Sequence, residues 1–577
     1  MYRISTVLGR KEAIATIVSL TVLIRLIHLF FIASTPILDF PELFVLSDMH
    51  MFDEWAKLIL RGDVLSVQHE PLYARSLEAS ATFFKAPFYA YLIALMRVMF
   101  SETAIPLALL QIAAAGVSCF LLFRVTESLF GHVAALAAGT FFALYGPSIN
   151  YDVLMLRRPW ITLAMLAISF GLVRLRIHPT NARAVGLGLA LGFGILVFEG
   201  FVILPLFVLG VVLWSFRLRA GSILAGGILL GMTLPLLCVF IRNYYVGAPL
   251  LHIAVTGSLA FALFNSAGSH PQFFVIDPSV HLPILEQADG HLMSTVLASL
   301  RTFDGIGPIV LFYLKRALAL LSSYEIPDNL NYYYVALQSP LITILPAYRL
   351  LFATAMVGLT IALWKKLDIS PLLPCGLVAI ALLFVAAPLS RYRISLVIML
   401  LPLSGYFVQY LWNWSRERRL VPLGMSLVVA TTLYATGYWI EAKVFPGTQF
   451  GGSRYYRTTE FLLITDFYLD RNMQDKARDE TQRWVNLQER FGPRDLTTLA
   501  LRQARLGQVE TARQNLETAR LDGQIDAFLL GRIGDIYWQR LKDPQTAWAV
   551  YKEALQANPK PKVRQRILKR LHILEGK

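Results

Sequence analysis

Apolar runs dominate the chain up to about residue 440 and predict its architecture. A helix needs about 20 apolar residues to cross the roughly 30 Å hydrocarbon core of a bilayer, and about eleven segments reach or approach that length. They lie at residues 13–34, 104–123, 132–149, 153–173, 184–198, 200–215, 222–241, 343–364, 371–389, 394–412 and 421–439. The pattern predicts an all-α, polytopic membrane module over residues 1–440. The two short spans on either side of Glu199 are expected to be tilted, or broken at Gly200.

One apolar run is too short to join this set. The stretch APFYAYLIALMRVMF (residues 86–100) contains Arg97 and only about 14 apolar residues. That length suits a helix lying in the membrane interface. The preceding DEWAKLILRGD places Trp55, Leu58 and Ile59 near helical spacing, which predicts an amphipathic helix on the surface. Residues 35–103 are therefore expected to stay on one side of the membrane.

Residues 455–577 carry a polar, helical pattern with an internal repeat. Ala477, Ala512 and Ala547 are spaced by 35 residues. The positions four and seven residues later hold Thr481, Trp484, Leu516, Ala519, Tyr551 and Ala554. The period resembles that of tetratricopeptide (TPR) repeats, with about three units, the minimum for a stable stack. We expect a soluble TPR-like domain that binds a partner protein or peptide; a generic helical bundle is the alternative.

Composition supports this division into two parts. The 577 residues are 56% hydrophobic and only 16% charged, against about 25% charged in soluble domains. The formal net charge of +15 would also suit nucleic-acid binding, but the bases fall in short loops between apolar runs. That distribution favours a membrane protein, and no nucleic-acid partner is expected. All three cysteines lie in apolar stretches, so no disulfide framework is expected.

The loop bases predict an orientation. If the N-terminus is cytoplasmic, every second loop is basic, as the positive-inside rule requires. The expected inner bases are Arg3, Arg10, Lys11, Arg124, Arg174, Arg176, Arg183, Arg217, Arg219, Lys365, Lys366, Arg416, Arg418 and Arg419. Loops 35–103 and 242–342 and the C-terminal domain then lie outside. The short loops suggest a bacterial protein, with the multi-pass module in the inner membrane and the C-terminal domain in the periplasm.

Two acids on the expected outer face are candidates for catalysis. Asp48 opens the amphipathic helix, where helix capping, worth about 1 kcal/mol, is the structural alternative. Asp152 lies at the mouth of the third and fourth spans, where a carboxylate beside hydrocarbon is costly and a functional role is the default. A simple interfacial acid is the alternative there. Asp53 and Glu54 are most simply solvated residues of the polar helix face.

Cations on the same face are candidates for binding an anion. Lys85 precedes the interfacial stretch, and Arg391 and Arg393 lie where a late span re-enters from outside, against the positive-inside bias. Guanidinium forks match phosphate oxygens, while snorkelling anchors are the alternative. The long outer loop adds Arg242 and a polar cluster in YEIPDNLNYYY, with Glu325, Asp328 and Asn329.

Carboxylates beside phosphate-binding cations suit group transfer from a lipid phosphate. A base removes the proton of an incoming hydroxyl, and cations stabilise the charge on the departing phosphate. A donor anchored by a long isoprenoid tail would explain why the enzyme is polytopic. Because TPR-like stacks bind partners and rarely catalyse reactions, we expect the chemistry in the membrane module.

These stretches resemble GT-C-fold glycosyltransferases, in the group of protein O-mannosyltransferases and aminoarabinose transferases of lipid A. The resemblance covers roughly residues 10–440. It is carried by LSDMHMFDEWAKLILRGD (46–63), KAPFYAYLIAL (85–95), RNYYVGAPLLHIAVTGSLAFALFN (242–265), YEIPDNLNYYY (324–334) and SRYRIS (390–395). It implies transfer of a sugar from a polyprenyl-phosphate donor to an acceptor hydroxyl on the extracytoplasmic face. The TPR-like domain would recruit the acceptor, a protein or glycan, or another protein partner.

The resemblance also implies roles by position. Asp48 matches a first-loop acid that acts as base or orients the acceptor, and Asp152 matches a second acid near the third span. Lys85, Arg391 and Arg393 match cations at the donor phosphate. The outer-loop residues Glu325 and Asn329 match an E-I-P-x-N element without an assigned role, and Arg242 opens the same loop.

The chain departs from the family at two points. Many relatives carry an acid before the proline of LRRPW, where this chain has Arg158, and a glycine-rich GG-x-NF where it reads GSLAF around Ser258. The first departure bears on Asp152 and on any metal, the second on how sugar or acceptor is held. The alternative function is therefore a catalytically decayed scaffold that organises a periplasmic assembly through its repeats.

The sequence specifies no cofactor. Such transfer proceeds either with the carboxylate alone or with a divalent cation holding the phosphate, and both options stay open. His50 and His69 are candidate extra ligands, but a histidine in such a loop is more often an ordinary surface residue, so no metal site is predicted. A transporter would need ionisable groups at mid-bilayer and an internal repeat among the spans. The nearest candidate, Glu199, is expected close to the outer surface.

Overall fold

The computed structural model describes residues 10–67, 82–100, 104–273, 277–288, 291–343, 348–444, 458–491, 496–521 and 526–576. Within these ranges every regular element is a helix, and the chain forms two compact units, Met1–Pro446 and Gly447–Lys577. The first half of the membrane unit contains α1 (Arg10–Ala33), α2 (Phe40–Leu43), α3 (Asp48–Leu60), α4 (Phe88–Phe100), α5 (Ala104–Phe130), α6 (His132–Leu144), α7 (Gly146–Val153), α8 (Arg158–Ile177), α9 (Asn181–Val197), α10 (Leu204–Ser215) and α11 (Leu218–Val246).

The remaining helices follow in the same order. The membrane unit continues with α12 (Thr256–Phe264), α13 (Pro278–Ala288), α14 (Leu292–Arg301), α15 (Ile306–Ala319), α16 (Tyr332–Gln338), α17 (Tyr348–Trp364), α18 (Leu373–Val385), α19 (Ser390–Arg416) and α20 (Leu420–Val444), with 3-10 turns at Glu199–Ile203 and Pro340–Thr343. The C-terminal unit contains α21 (Thr458–Asp470), α22 (Gln474–Phe491), α23 (Leu496–Arg505), α24 (Val509–Leu521), α25 (Ala527–Gln539), α26 (Pro544–Gln556) and α27 (Pro561–Leu574).

Six helices, α1, α5, α8, α11, α19 and α20, are long and apolar enough to cross a membrane, or up to eight spans if each of two bent pairs counts as one. Each predicted span corresponds to one of the six, to the bent pair α6–α7, or to one of the shorter apolar helices α9, α10, α17 and α18. The prediction of an all-α, multi-pass membrane protein is confirmed. The short stretch 86–100 forms the 13-residue helix α4.

The third predicted span is broken by a proline. α6 and α7 meet at an angle of 57° around Tyr145, and Pro147 lies in the first turn of α7. Proline lacks an N–H, so it is favoured in a first turn and disfavoured in a helix interior. All eight residues of α7 are buried, so the segment that carries Asp152 turns into the protein. α8 then begins at Arg158, again with a proline, Pro159, in its first turn.

Two ion pairs join segments that are predicted to lie on the inner side. Arg10 Nη2 lies 2.5 Å from Glu127 Oε2, and Arg176 pairs with Asp368. Each pair thus joins two segments that were predicted to lie on the same side, while the orientation of the membrane unit stays a prediction.

A glycine allows α9 and α11 to pack backbone to backbone. A Cβ atom on Gly188 would lie 2.1 Å from Ile228 O, well inside van der Waals contact. In lipid, helices associate largely through such close packing, because apolar side chains gain little by leaving an apolar solvent. This contact holds the short helix α9 in the bundle.

The two amphipathic helices α3 and α4 are joined by buried charges. The Asp53 side chain is 2% exposed and pairs with Arg97 of α4 and, at 2.8 Å, with Lys57 of its own helix. The expectation that Asp53 is a solvated residue is therefore wrong, because α4 covers it. Glu54 is partly exposed and pairs with Lys57 at 2.8 Å. The Arg97 charge thus fixes α4 beside α3.

Arg316 anchors the outer-loop helices to the end of α18. It is buried and donates to the Phe264 carbonyl at 2.5 Å, to Asn265 Oδ1 at 2.8 Å and to the Phe384 carbonyl. Carbonyls in the last turn of a helix lack intrahelical partners and carry partial negative charge. A buried cation can therefore be stabilised there by carbonyl oxygens.

The C-terminal unit is built of helices that follow the sequence repeat. Ala477, Ala512 and Ala547 occupy α22, α24 and α26 and are all fully buried. Gly534 lets α25 approach α26, since a Cβ atom there would lie 2.6 Å from the Tyr551 ring. The repeated positions thus form helix–helix contacts. The TPR assignment stays a prediction.

Candidate functional site

Asp48 opens α3 but does not cap it. The N-cap is Ser47, whose hydroxyl accepts a hydrogen bond from His50 N at 3.1 Å. The Asp48 N–H donates to Asn329 Oδ1 at 2.5 Å, which ties α3 to the outer loop. The capping alternative for Asp48 is therefore wrong, and its carboxylate, 20% exposed, serves another purpose.

Two cations hold that carboxylate. Lys85 Nζ pairs with Asp48 Oδ1, and Arg391 Nη1 pairs with Asp48 Oδ2. Arg391 Nε also lies 2.5 Å from Asp328 Oδ2, and Asn329 Nδ2 donates to the same oxygen at 3.0 Å. The four charged side chains are between 9% and 20% exposed, so the cluster is sheltered but reachable. Of the predicted residues, the structure thus brings together Asp48, Lys85, Arg391 and Asn329.

A third cation, Arg157, lies beside this cluster. Its Nη1 and Nη2 donate to the two carboxylate oxygens of Glu199 at 2.6 and 2.7 Å, a fork-to-fork arrangement. Glu199 Oε2 also accepts from Ala86 N at 3.2 Å. The Phe52 ring lies 5.5 Å from the Arg157 guanidinium and 5.8 Å from Lys85 Nζ. This aromatic ring, on α3, therefore contacts both cations.

Helix ends add to the positive potential of the site. Asp48, Arg158 and Ser390 are the first residues of α3, α8 and α19. The N-cap positions of α8 and α19 have no side-chain capping hydrogen bond. Free N–H groups and the helix macrodipole make such ends favourable for anions. Three cations and three carboxylates therefore lie near these helix ends, with the Asp48 carboxylate between Lys85 and Arg391.

Burial and charge set the protonation of the central pair. Burial alone would raise the pKa of Asp48, but the charges and hydrogen bonds of Arg391 and Lys85 outweigh it and hold that pKa well below its usual range. Burial lowers the pKa of Lys85; Asp48 opposes this shift, while Arg157 and Arg391 add to it. Asp48 is thus an ionised, weak base while it is paired with these two cations. Lys85 loses its proton at a lower pH than an ordinary lysine.

The second predicted arginine lies apart from the cluster. The Arg393 side chain is fully buried, with Nη2 2.8 Å from Glu325 Oε2. It also donates to the carbonyls of Ser322 and Tyr324 at 2.7 and 2.8 Å. Ser390 Oγ donates to Glu325 Oε2 at 2.6 Å. The predicted residues Arg393 and Glu325 therefore neutralise each other and join the outer loop to the first turn of α19.

Asp152 is also enclosed. Arg25 of α1 donates through Nε to Asp152 Oδ2 at 2.7 Å, and Ser148 Oγ donates to the same oxygen at 3.2 Å. Gln111 of α5 binds the Asp152 carbonyl at 3.2 Å. The Asp152 side chain is 3% exposed, so the structure does not bring it into the accessible cluster. The ion pair joins α7 to α1 instead.

Arg242 binds backbone carbonyls. Its Nε and Nη2 donate to the Leu65 and Ser66 carbonyls, both at 2.8 Å, and its guanidinium lies 4.1 Å from the Phe83 ring. It thus supports the segment that leads to Lys85. The GSLAF segment, where the chain departs from the family pattern, contacts the same segment before Lys85, since Thr256 N donates to the Phe84 carbonyl at 3.2 Å.

The candidate metal ligands do not converge. His50 Nδ1 lies 2.9 Å from the Pro41 carbonyl, and His69 lies outside the described residues. In the part of the chain that the structure describes, no three His, Cys, Asp or Glu side chains form a group suited to a metal ion. Asp48 and Asp328 both face Arg391, so a divalent cation would have to displace that arginine.

Sequence reasoning missed Arg157 and Tyr392, and it named Asp328 without assigning it a role. Arg157 carries the signal that identified Arg391, an arginine at the expected outer end of a span against the charge bias. Asp328 adjoins Asn329 in the same motif. Tyr392, whose hydroxyl accepts from Arg391 Nη2 at 2.9 Å, had no signal of its own among many tyrosines.

No protein-family profile matches the chain, and no curated protein matches it. Among solved structures, the Archaeoglobus fulgidus oligosaccharyltransferase in its apo form has a TM-score of 0.39 and 13% identity over 81% of this chain. The same values of TM-score and identity hold for Archaeoglobus fulgidus AglB in complex with an inhibitory peptide and a dolichol-phosphate, over 86% of this chain. ArnT from Cupriavidus metallidurans in the apo state has a TM-score of 0.27 and 15% identity, over 64% of this chain and 74% of that one. The match spans 59% of the archaeal oligosaccharyltransferase. Similarity at this level does not establish an activity.

Proposed function

We propose that the protein is an integral-membrane glycosyltransferase that transfers a sugar from a polyprenyl-phosphate donor to an acceptor hydroxyl. The observation that carries the proposal is the Asp48 carboxylate held between Lys85 and Arg391 at the partly exposed mouth of a membrane bundle. The arrangement supplies one group for the acceptor proton and two cations for the departing phosphate. The resemblance of the surrounding motifs to GT-C enzymes points to glycosyl transfer as the reaction class.

Donor binding would open the ion pairs around Asp48. Phosphate oxygens accept hydrogen bonds from the same Lys85 and Arg391 groups that face the Asp48 carboxylate. Once these cations contact phosphate, Asp48 loses the interactions that lower its pKa, and its pKa rises. The donor would therefore convert a weak base into a stronger one before the acceptor reacts.

In the transfer step, the acceptor oxygen bonds to the anomeric carbon as the bond from that carbon to the phosphate oxygen breaks. The acceptor proton passes to Asp48, and the bonding electron pair leaves with the polyprenyl phosphate. Lys85, Arg391 and the N-terminus of α19 stabilise the charge on that phosphate. Arg157 and Arg393 position these groups through their pairs with Glu199 and Glu325.

The proposal places the site outside the cytoplasm of a bacterial cell, in the inner membrane. The C-terminal unit would then lie in the periplasm and bind the acceptor. Its α25–α27 surface carries Phe528 and Arg532, and Asp535 on the same surface is paired with Arg566 and Arg570. Phe528 and Arg532 would then contact apolar and acidic side chains of a peptide. Changing both residues to alanine should raise the acceptor KM and leave the donor KM unchanged; an unchanged acceptor KM would remove this role.

The test is transfer by the full chain in proteoliposomes with a polyprenyl-phosphate sugar. Asp48→Asn should abolish transfer while thermal unfolding shows that the protein is still folded. Asp304→Asn is the control, since Asp304 is an exposed acid of the other expected outer loop, 242–342, and it should retain full activity. Full transfer by the Asp48→Asn protein would refute the assignment.

One observation favours the scaffold alternative. Both Asp48 oxygens already have cationic partners, as expected if the cluster only stabilises the fold. In a scaffold, the wild-type protein would transfer no sugar and bind no polyprenyl phosphate, and Asp48→Asn would act on stability alone. Saturable binding of the lipid phosphate by the wild-type protein decides between the two functions.

A further inference from the structure

Arg158, at the start of α8, is a buried cation with incomplete bonding. It is 3% exposed, and its Nη2 donates to Ser395 Oγ at 2.8 Å. Its Nε and Nη1 have no hydrogen-bond partner in the structure. Buried N–H groups are nearly always bonded, and an unsatisfied one costs about 1–3 kcal/mol, more when charged. Arg158 therefore has two buried donors that lack an acceptor among the described residues.

Some other buried arginines of the membrane unit are paired with acids. Arg25, Arg157 and Arg393 each contact a carboxylate. Arg158 forms no ion pair with any carboxylate of the described residues. Asp152, whose charge acts on Arg158, already accepts from Arg25 and from Ser148. A lone buried charge of this kind is strongly unfavourable unless a partner arrives from outside.

The surroundings of Arg158 call for an anion in particular. Arg391 lies close enough to Arg158 for the two positive charges to repel each other. Arg158 also occupies the N-terminal end of a 20-residue helix, where the macrodipole disfavours a cation. Tyr392 approaches both arginines, which places Arg158 at the edge of the Asp48 cluster. A negatively charged ligand oxygen would relieve both repulsions at once.

We propose that Arg158 is an anion-binding residue of the donor site and, together with Arg391, binds the phosphate of the lipid-linked donor. The inference rests on the proposed function. It gives a positive role to the departure in LRRPW: an arginine at a position where relatives carry an acid changes the local charge toward binding an anion directly. Ser395 holds one side of the guanidinium, and the phosphate oxygen takes a donor on the other.

The empty protein supplies a first test, since a merely structural arginine and a ligand-binding one differ there. Removing a buried charge that lacks an acidic partner should not destabilise the protein. Arg158→Met should therefore melt at the same temperature as the wild-type protein or higher. A large fall in Tm would show that Arg158 is a structural residue and would overturn the proposal.

The second test measures binding of sugar-free polyprenyl phosphate to the full chain in nanodiscs, with polyprenol as the probe that lacks the phosphate. Arg158→Met should weaken phosphate-lipid binding roughly 10-fold or more, the loss of about one charge-assisted hydrogen bond. Arg158→Lys should recover part of the affinity, and polyprenol binding should not change. Arg217→Gln, an exposed arginine of an expected inner loop, is the matched control and should bind as the wild type does.

The outcomes separate the two proposals. If the wild-type protein binds polyprenyl phosphate and Arg158→Met and Arg158→Gln bind it equally well, the role of Arg158 is refuted while the function stands. If only the sugar-bearing donor loses affinity in Arg158→Met, the anion lies on the sugar and the phosphate role is refuted. If the wild-type protein does not bind the phosphate lipid, the proposed function itself fails.

Discussion

Replacing Arg391 should separate the stability of the cluster from its affinity for the donor. The guanidinium contacts Asp48, Asp328 and the Tyr392 hydroxyl, and its side chain is 12% exposed. In Arg391→Met, Asp48 keeps only Lys85, and Asp328 loses the cation that it faces. Two carboxylates that share a cation would then repel each other. We expect both a lower Tm and weaker donor binding from this one change.

The two effects have different expected sizes. Removing one partner of a buried ion pair costs about 3–5 kcal/mol, and the partial exposure of this cluster places the loss toward the lower end. One charge-assisted hydrogen bond to phosphate contributes about 1.5–3 kcal/mol, which corresponds to roughly 10- to 150-fold in the donor dissociation constant. Arg391→Lys keeps the charge but only a single donor centre, so it should fall between the wild type and Arg391→Met.

A double variant distinguishes the effect on stability from the effect on donor binding. Arg391→Met with Asp328→Asn removes the repulsion, so the Tm should recover in large part while the donor dissociation constant stays raised. Thermal unfolding and equilibrium binding of the polyprenyl-phosphate sugar are measured on the same nanodisc samples. Wild-type donor affinity in the double variant would refute the assignment of Arg391 to the phosphate, because the only remaining role would be stabilisation.

Three further predictions concern other parts of the membrane unit. Donor binding should weaken as pH rises, and at a lower pH than an ordinary lysine pKa would set, because burial lowers the pKa of Lys85 and only protonated Lys85 attracts phosphate. In a pH series of donor dissociation constants, Lys85→Arg should remove this weakening. The same pH series in Lys85→Arg as in the wild type would contradict the prediction. Arg25→Met should lower the Tm by leaving Asp152 buried and unpaired, and Arg25→Met with Asp152→Leu should restore the Tm. If this double variant transfers sugar, Asp152 is structural. If it is folded but inactive, the predicted catalytic role of Asp152 stands. In a cysteine-free background, an impermeant thiol reagent added outside the cell should label Asp304→Cys and not Lys365→Cys, and the reverse pattern would invert the proposed orientation.

The span pattern was predictable because hydrocarbon solvates only long apolar helices. The breaks within spans were harder to predict, since Pro147 interrupts the third predicted span without lowering its apolar content much. Its consequence is large: the bend turns α7 inward and encloses Asp152 with Arg25. Hydropathy measures how apolar a segment is and does not report the direction of the chain after a bend.

The site residues were predictable where each segment contributes a single residue to the site. Asp48, Lys85, Arg391 and Asn329 come from four separate stretches, and each was chosen because its charge or motif was unusual for its expected depth. Arg391 and Arg393 were treated as a pair, yet residues two apart on a helix point about 200° from one another and do not face each other. The structure accordingly gives Arg391 to Asp48 and Arg393 to Glu325.

Ion pairs between residues far apart in the chain could not be predicted from the sequence. Arg157 meets Glu199 from a segment 42 residues away, and Asp53 meets Arg97 across 44 residues. Each of these acids looked solvated or interfacial when only its own helix was considered. Pairing depends on tertiary packing, which no local periodicity encodes.

The most direct measurement is a structure of the full chain with a polyprenyl-phosphate sugar bound, determined by cryo-electron microscopy in nanodiscs. The phosphate should lie within hydrogen-bond distance of Lys85 Nζ and the Arg391 guanidinium, with the Asp48 carboxylate released from at least one of them. A donor phosphate bound elsewhere, while Asp48 still contacts both cations, would contradict the account.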